Sequence, residues 1–271
     1  NNVQILKNIS FSVLAGESIC ILGQNGSGKT TFCALLRGFI PSFYNGTLEG
    51  EVLVEGKGVT EYGGELSAKI GYVFQNPFTQ ISGVKDTVFE EVAYGLENFG
   101  VPVQEIEKRV IEVMRLTDIE AIADRNPFDL SGGQMQRVAL ASVIVLEPDI
   151  LIIDEPTSQL DPEGTESVFK IIKTLKEKHK TIILVEHKVD LIAEYADEVF
   201  VFKDGQLIFS GNTQTILSDT ALLNHKAALP QVALLGNLLK KKKFPLSMIP
   251  ITEGQAVEVI SQALNRKVKN A

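Results

Sequence analysis

The chain has 271 residues, of which 44% are hydrophobic and 22% are charged, as is usual for a globular protein. Its formal net charge of -8 argues against a nucleic-acid-binding protein, which normally presents a basic face. No apolar run approaches the roughly 18 residues needed to span a bilayer, so work at a membrane would require a partner protein.

The first predicted elements are two short strands within residues 5–22, joined by a turn. In the first strand, apolar residues alternate with polar or small ones, as in a half-buried strand: Ile9, Phe11 and Val13. The second strand, residues 18–22, is apolar at successive positions and is therefore expected to be buried on both faces. It contains Cys20, which, like Cys33, is typical of a buried thiol in a reducing compartment.

Helices and strands alternate in the rest of the chain. Helical spacing of apolar residues predicts helices at about 29–37 and throughout 77–147. Further strands are predicted at 50–54, 70–74, 150–153 and 181–185, the first two forming a second β-rich patch. A hairpin is expected around Asp204-Gly205, a strong type I′ turn signal.

The last stretch differs in composition from the rest of the chain. Four consecutive lysines at 240–243 favour a solvated charge run over a contact with anionic lipid. Thr252 and Gln255 fit a helix capping box. We therefore predict a main domain over residues 1–215 and a small, mainly helical region over 216–271.

Residues 23–30 match the phosphate-binding pattern G-x-x-x-x-G-K-[ST] and lie between a buried strand and a helix. The glycines let backbone N–H groups wrap a phosphate, and the helix N-terminus adds a positive potential. Lys29 is expected to reach the β- and γ-phosphates of ATP, and Thr30 to bind Mg²⁺ through its hydroxyl. The predicted nucleotide-binding residues of this loop are Gly23, Asn25, Gly26, Ser27, Gly28, Lys29, Thr30 and Thr31.

The strand of residues 150–153 ends in two carboxylates, which suit the other half of a nucleotide site. Asp154 is placed to join the Mg²⁺ shell, and Glu155 to polarise the attacking water. With the phosphate loop, this pair indicates a P-loop NTPase. That class includes motors, recombinases and kinases, so these two motifs do not specify the function.

Residues 130–134 (LSGGQ) narrow the class, because they resemble the signature of the ATP-binding cassette (ABC) ATPases. The resemblance covers nearly the whole chain. It implies an α/β fold with a P-loop core of mostly parallel strands, an antiparallel β patch, a helical subdomain at about 77–147 and a small C-terminal appendage. Physically, Ser131 and the amides of Gly132 and Gly133 would form a second anion cradle at a helix start.

The same resemblance gives roles to individual residues. Gln75 stands in the Q-loop position, which contacts Mg²⁺ or water and senses the transporter, and His187 stands in the switch-histidine position, which contacts the γ-phosphate. The family clamps each ATP between one chain's phosphate loop and its partner's signature. The signature residues expected to bind the partner's ATP are therefore Ser131, Gly132, Gly133 and Gln134. The resemblance thus implies a second ABC ATPase subunit, either identical or related.

Several stretches look most like the energy-coupling factor ATPases, which drive uptake of vitamins and transition-metal ions. They are residues 71–77, 88–98 and 184–187, with a C-terminal appendage from about 229. This implies a transmembrane coupling subunit, a membrane substrate-binding protein and a place at the cytoplasmic face of the cell membrane. The alternative is a soluble ABC-type ATPase that acts as a mechanical clamp on nucleic acid or a protein assembly.

An acidic cluster flanks the Q-loop region: Glu90, Glu91 and Glu97. Basic coupling helices of a membrane partner would suit it, and so would simple solvation of one helix face. The residues alone leave both interpretations open.

Overall fold

A computed structural model describes residues 3–269, with side chains described up to residue 265. The ends of the predicted domains, residues 1–2 and 270–271, lie outside the described residues. The strands are β1 (Ser18–Gly23), β2 (Leu53–Val54), β3 (Lys57–Gly58), β4 (Ile70–Val73), β5 (Ile150–Asp154), β6 (Thr181–Val185), β7 (Glu198–Lys203) and β8 (Gln206–Asn212). The helices are α1 (Lys29–Leu36), α2 (Phe39–Ser42), α3 (Leu66–Lys69), α4 (Val88–Asn98), α5 (Val103–Leu116), α6 (Gly132–Ile144), α7 (Pro162–Glu177), α8 (Val189–Tyr195), α9 (Thr213–Ser218), α10 (Gln231–Lys241) and α11 (Glu253–Lys269).

The chain divides into two compact units. The first comprises the N-terminal residues up to Ser12, Ser18–Lys29 and the chain from Glu186 onwards. Within it β1 pairs with β7 in parallel, and β7 pairs with β8 antiparallel. Asp204 and Gly205 turn the hairpin with φ of 49° and 78°, so the predicted type I′ turn is confirmed.

The second unit comprises Val13–Glu17 and Thr30–Val185. Its strands β4, β5 and β6 pair in parallel in that order. They are short apolar runs because both faces are covered, and Ile152 and Ile153 have no exposed surface. The parallel pairs in both units confirm the predicted α/β class. The helical spacing within 77–147 is also confirmed, since α4, α5 and α6 lie there.

One predicted strand is absent from the described chain, and another belongs to a different sheet from the one predicted. No strand is assigned over residues 9–13 of the described chain, where Phe11 instead packs edge-on against Phe200 with ring centroids 5.4 Å apart. The alternating apolar pattern of residues 9–13 therefore reflects side-chain packing and not the hydrogen bonding of a strand. Ile70–Val73 belongs to the buried parallel sheet, so in this region only β2 and β3, of two residues each, pair antiparallel.

The C-terminal helices α9, α10 and α11 belong to the first unit. The predicted helix start at Thr252 is confirmed, because its hydroxyl accepts the N–H of Gln255 at 3.3 Å. The side chain of Gln255 returns to the N–H of Ile251 at 2.8 Å, one residue earlier than a standard capping box requires.

Candidate nucleotide-binding and hydrolysis site

The phosphate loop connects β1 to α1, as its sequence predicts. Gly23 is required by close packing, because a Cβ there would lie 2.5 Å from the carbonyl oxygen of Phe202. The loop closes on itself through the N–H of Ser27, which donates to the carbonyl of Gln24 at 3.1 Å. Asn25, at the loop's crest, is exposed. The loop is therefore a formed and open cradle.

Lys29 braces this cradle from within. Its ammonium donates to the carbonyls of Gly23 at 2.9 Å and Gln24 at 3.2 Å, and the residue is only 5% exposed. The buried hydroxyl of Ser27 has no hydrogen-bond partner among the described residues. The loop thus places a buried cation and a hydroxyl without a hydrogen-bond partner close together in sequence. An anionic phosphate would offer a hydrogen-bond acceptor to each.

The two predicted carboxylates differ in environment. Asp154 ends β5, is 2% exposed and accepts a hydrogen bond from the hydroxyl of Tyr72 at 3.2 Å. Burial, reinforced by the Asp154 charge, raises the pKa of Tyr72, so this phenol remains a neutral donor. Glu155 is half-buried and adopts a left-handed φ of 46°, while its N–H donates to Val185 at 2.9 Å. Glu155 therefore leaves the strand in a left-handed backbone conformation.

Gln75 and Glu155 meet, although 80 positions separate them. The amide nitrogen Nε2 of Gln75 donates to Oε2 of Glu155 at 2.8 Å. The register explains this contact: Val73 lies opposite Ile153, and Gln75 and Glu155 each lie two positions beyond that pair. Mg²⁺ binds one or two carboxylates together with phosphate oxygens and water. The carboxylate of Asp154 is therefore a suitable ligand for this ion.

His187 lies two positions after the end of β6 and is exposed. The preceding Glu186 is only 3% exposed, and its Oε1 accepts the N–H groups of His187 at 2.8 Å and Lys188 at 3.2 Å. Sequence reasoning missed Glu186. The signal was a charged residue at the end of an otherwise apolar run, where a buried carboxylate needs a specific reason.

The signature forms the start of α6. Ser131 caps the helix by accepting the N–H of Gln134 at 3.3 Å, and Gln134 returns its Oε1 to the N–H of Ser131 at 3.1 Å. The side chain of Gln134 therefore holds the cradle together. Ser131 and Gly132 are exposed, and a Cβ at Gly132 would meet nothing within 4 Å. These helix-start amides are open to a ligand from outside the chain.

The acidic cluster beside the Q-loop region separates into different roles. Glu91 is 3% exposed and accepts both the N–H and the hydroxyl of Ser82 at 2.7 Å, so it fits neither interpretation of an exposed cluster. Glu97 is exposed and pairs with Lys85 at 2.7 Å.

None of the helices within residues 3–269 combines the length and the apolar character that a bilayer crossing demands.

Comparison with known proteins agrees with this geometry. Residues 6–158 match the family model described as ABC transporter. The energy-coupling factor transporter ATP-binding protein EcfA of Methanocaldococcus jannaschii is 39% identical over 243 residues, which cover 88% of this chain and 84% of EcfA.

Two solved structures resemble the chain closely. CbiO1 from Clostridium perfringens, described as part of the ABC transporter complex CbiONQ, superposes with a TM-score of 0.72 at 33% identity, covering 87% of this chain and 92% of CbiO1. The ATP-binding cassette MJ0796, solved as a dimer in a post-hydrolysis state with ADP and phosphate, gives 0.67 at 29% identity, covering 77% and 90%.

Proposed function

The chain belongs to the ABC transporter ATPases, and from that premise we propose that it powers an importer of the energy-coupling factor type. Such an importer takes up vitamins or transition-metal ions. Similarity to EcfA, an energy-coupling factor transporter ATP-binding protein, and to CbiO1, part of the ABC transporter complex CbiONQ, supports this subclass. So do the stretches at 71–77, 88–98 and 184–187, which resemble that subclass. The chain contributes ATP hydrolysis to the importer.

The exposed signature is the observation that carries this proposal. The amides at the start of α6 are open, and the capping box of Ser131 and Gln134 holds them in place. A ready anion cradle on the surface suits an ATP bound by another chain. Two ATPase subunits, identical or related, would thus close over two ATP molecules, as the dimeric form of MJ0796 illustrates for a similar cassette.

Hydrolysis would rely mainly on positioning and charge stabilisation. A water attacks the γ-phosphorus, and the bond to the bridging oxygen breaks with its electron pair leaving on ADP. Glu155 orients that water and takes its proton, while Lys29 and the loop amides stabilise the negative charge. His187 would contact the γ-phosphate.

Mg²⁺ would be held by Thr30, Asp154 and Gln75. When bound, the ion neutralises charge on the β- and γ-phosphate oxygens. Gln75 donates to Glu155 through Nε2 in this structure, so the atom that it would offer to the metal is its amide oxygen.

The proposed partners are a transmembrane coupling subunit and a membrane substrate-binding protein. They would hold the chain at the cytoplasmic face of the cell membrane. Closure on ATP and reopening after hydrolysis would then drive a conformational change in the membrane subunits. A net charge of -8 does not favour nucleic acid as the partner.

Purification from membranes tests this function. A tagged full-length chain, extracted in mild detergent, should bring down a polytopic membrane protein and a second ATPase subunit. The purified complex should hydrolyse ATP, and Lys29→Ala should abolish that activity. A chain recovered only from the soluble fraction, with nucleic acid or a soluble assembly, would overturn the transport role and favour the mechanical clamp.

A further inference from the structure

We propose that Glu186 is a positioning residue for hydrolysis. It fixes the backbone of residues 187 and 188, here called the switch segment, so that His187 faces the γ-phosphate. The inference deepens the proposed function and rests on it, because it assigns to His187 the γ-phosphate contact. Glu186 acts through hydrogen bonds to the main chain, so it is distinct from the groups that contact nucleotide.

The geometry at the switch segment is specific. A single carboxylate oxygen, Oε1, accepts two consecutive N–H groups, those of His187 at 2.8 Å and Lys188 at 3.2 Å. Two donors on one anionic acceptor fix the backbone of the turn more firmly than one neutral bond would. The exposed imidazole of His187 therefore projects from an anchored main chain.

Glu186 also lies close to the strand that leads into the phosphate loop. Burial, reinforced by the Glu186 charge, raises the pKa of the Cys20 thiol on β1, three positions before Gly23. The anchor of the switch segment and the start of the cradle therefore belong to one packed region of the first unit. A switch histidine needs such a fixed reference, since a misplacement of about 1 Å can cost a hundredfold in rate.

Stability alone does not explain a carboxylate at this position. Burying an ionised group is unfavourable unless hydrogen bonds compensate it, and an apolar residue of similar volume is often equally stable. Glu186 is 3% exposed and directs its Oε1 to the backbone of the switch segment. The hydrogen-bond acceptor is thus the property that the site uses.

A matched pair of substitutions tests this. Glu186→Gln keeps an acceptor oxygen and the side-chain shape, whereas Glu186→Leu keeps the volume and removes the acceptor. In the full-length chain, within its purified complex, kcat for ATP should fall at least about tenfold in Glu186→Leu and stay within about threefold in Glu186→Gln. The KM for ATP should change little in both. Glu194→Leu, at an exposed glutamate of α8, is the control and should leave kcat unchanged.

Two further measurements separate positioning from general damage. In a His187→Ala background, Glu186→Leu should lower kcat no further, because the residue acts through His187. Amide hydrogen exchange at residues 187 and 188 should be faster in Glu186→Leu than in Glu186→Gln. If Glu186→Leu does not fold, Glu186→Ala is measured against the same expectations.

Equal losses in Glu186→Gln and Glu186→Leu, or a full additional loss in the His187→Ala background, would overturn the inference. If the wild-type complex hydrolyses ATP and only His187→Ala is impaired, the inference fails while the proposed function stands. If the wild-type complex does not hydrolyse ATP, the proposed function fails, and unchanged exchange at residues 187 and 188 would then reject the anchor too.

Discussion

Glu155→Gln offers the sharpest test of the hydrolytic site, because it removes a charge and almost nothing else. The new amide oxygen can still accept the hydrogen bond that Gln75 donates to Oε2 at 2.8 Å, and glutamine tolerates the left-handed φ of 46° as well as glutamate does. Folding stability should therefore change by no more than about 1 kcal/mol. A positioned general base contributes about 10² to 10⁴ in rate, which is roughly 3 to 5 kcal/mol in the barrier.

Because the expected kinetic effect is several times the stability effect, the assay can separate them. Phosphate release at saturating ATP should fall at least about a hundredfold in Glu155→Gln. Equilibrium ATP binding should remain, and size-exclusion chromatography with ATP and Mg²⁺ should show a persistent dimer. Glu163→Gln, at an exposed glutamate in the first turn of α7, is the matched control and should retain full turnover. Unchanged hydrolysis in Glu155→Gln would refute the role given to this carboxylate.

Three further outcomes follow from the same geometry. Ser131→Arg should impair hydrolysis at the partner's phosphate loop, so mixed dimers must show the defect in trans; a defect in cis would contradict the shared site. Lys29→Ala should weaken ATP binding at least about tenfold in a fluorescence titration, since the ammonium braces the loop and is proposed to contact phosphate; unchanged affinity would exclude that role. Gly205→Ala should lower the free energy of unfolding in urea more than Gly56→Ala. Both have φ near 78°, costing about 1 kcal/mol, but only at Gly205 would the Cβ collide with the backbone of Ile5, so equal effects would count against this packing.

Much of the core could be predicted from sequence because buried parallel strands leave a strong signal. Residues 181–185 are five apolar or small positions in a row, and β6 has those bounds. The alternation of residues 9–13 gave a false strand, because the packing of Phe11 on Phe200 produces the same pattern without a ladder. Periodicity reports which side chains are buried, and it does not report whether the backbone finds a partner.

In the candidate site too, local features could be predicted from sequence, whereas long-range contacts could not. Loop motifs are local, so the position of residues 23–30 between β1 and α1 could be predicted from sequence. The contact of Gln75 with Glu155 depends on the register of β4 against β5, which the sequence does not state. Glu91 looked like a surface charge because the sequence groups it with Glu90 and Glu97, whereas its buried carboxylate accepts two hydrogen bonds from Ser82. Long-range side-chain partners were the part that sequence could not supply.

The capping box at the start of α6 has a calorimetric consequence. Ser131 and Gln134 already hold the helix start in a single chain, so docking on a partner's nucleotide orders little new backbone there. Association of preformed surfaces shows a heat-capacity change set by the area buried, without the larger decrease that accompanies coupled folding. Titration calorimetry of ATP-dependent dimerisation at several temperatures should therefore give a modest negative value, while Gln134→Ala, which loosens the cap, should make it more negative.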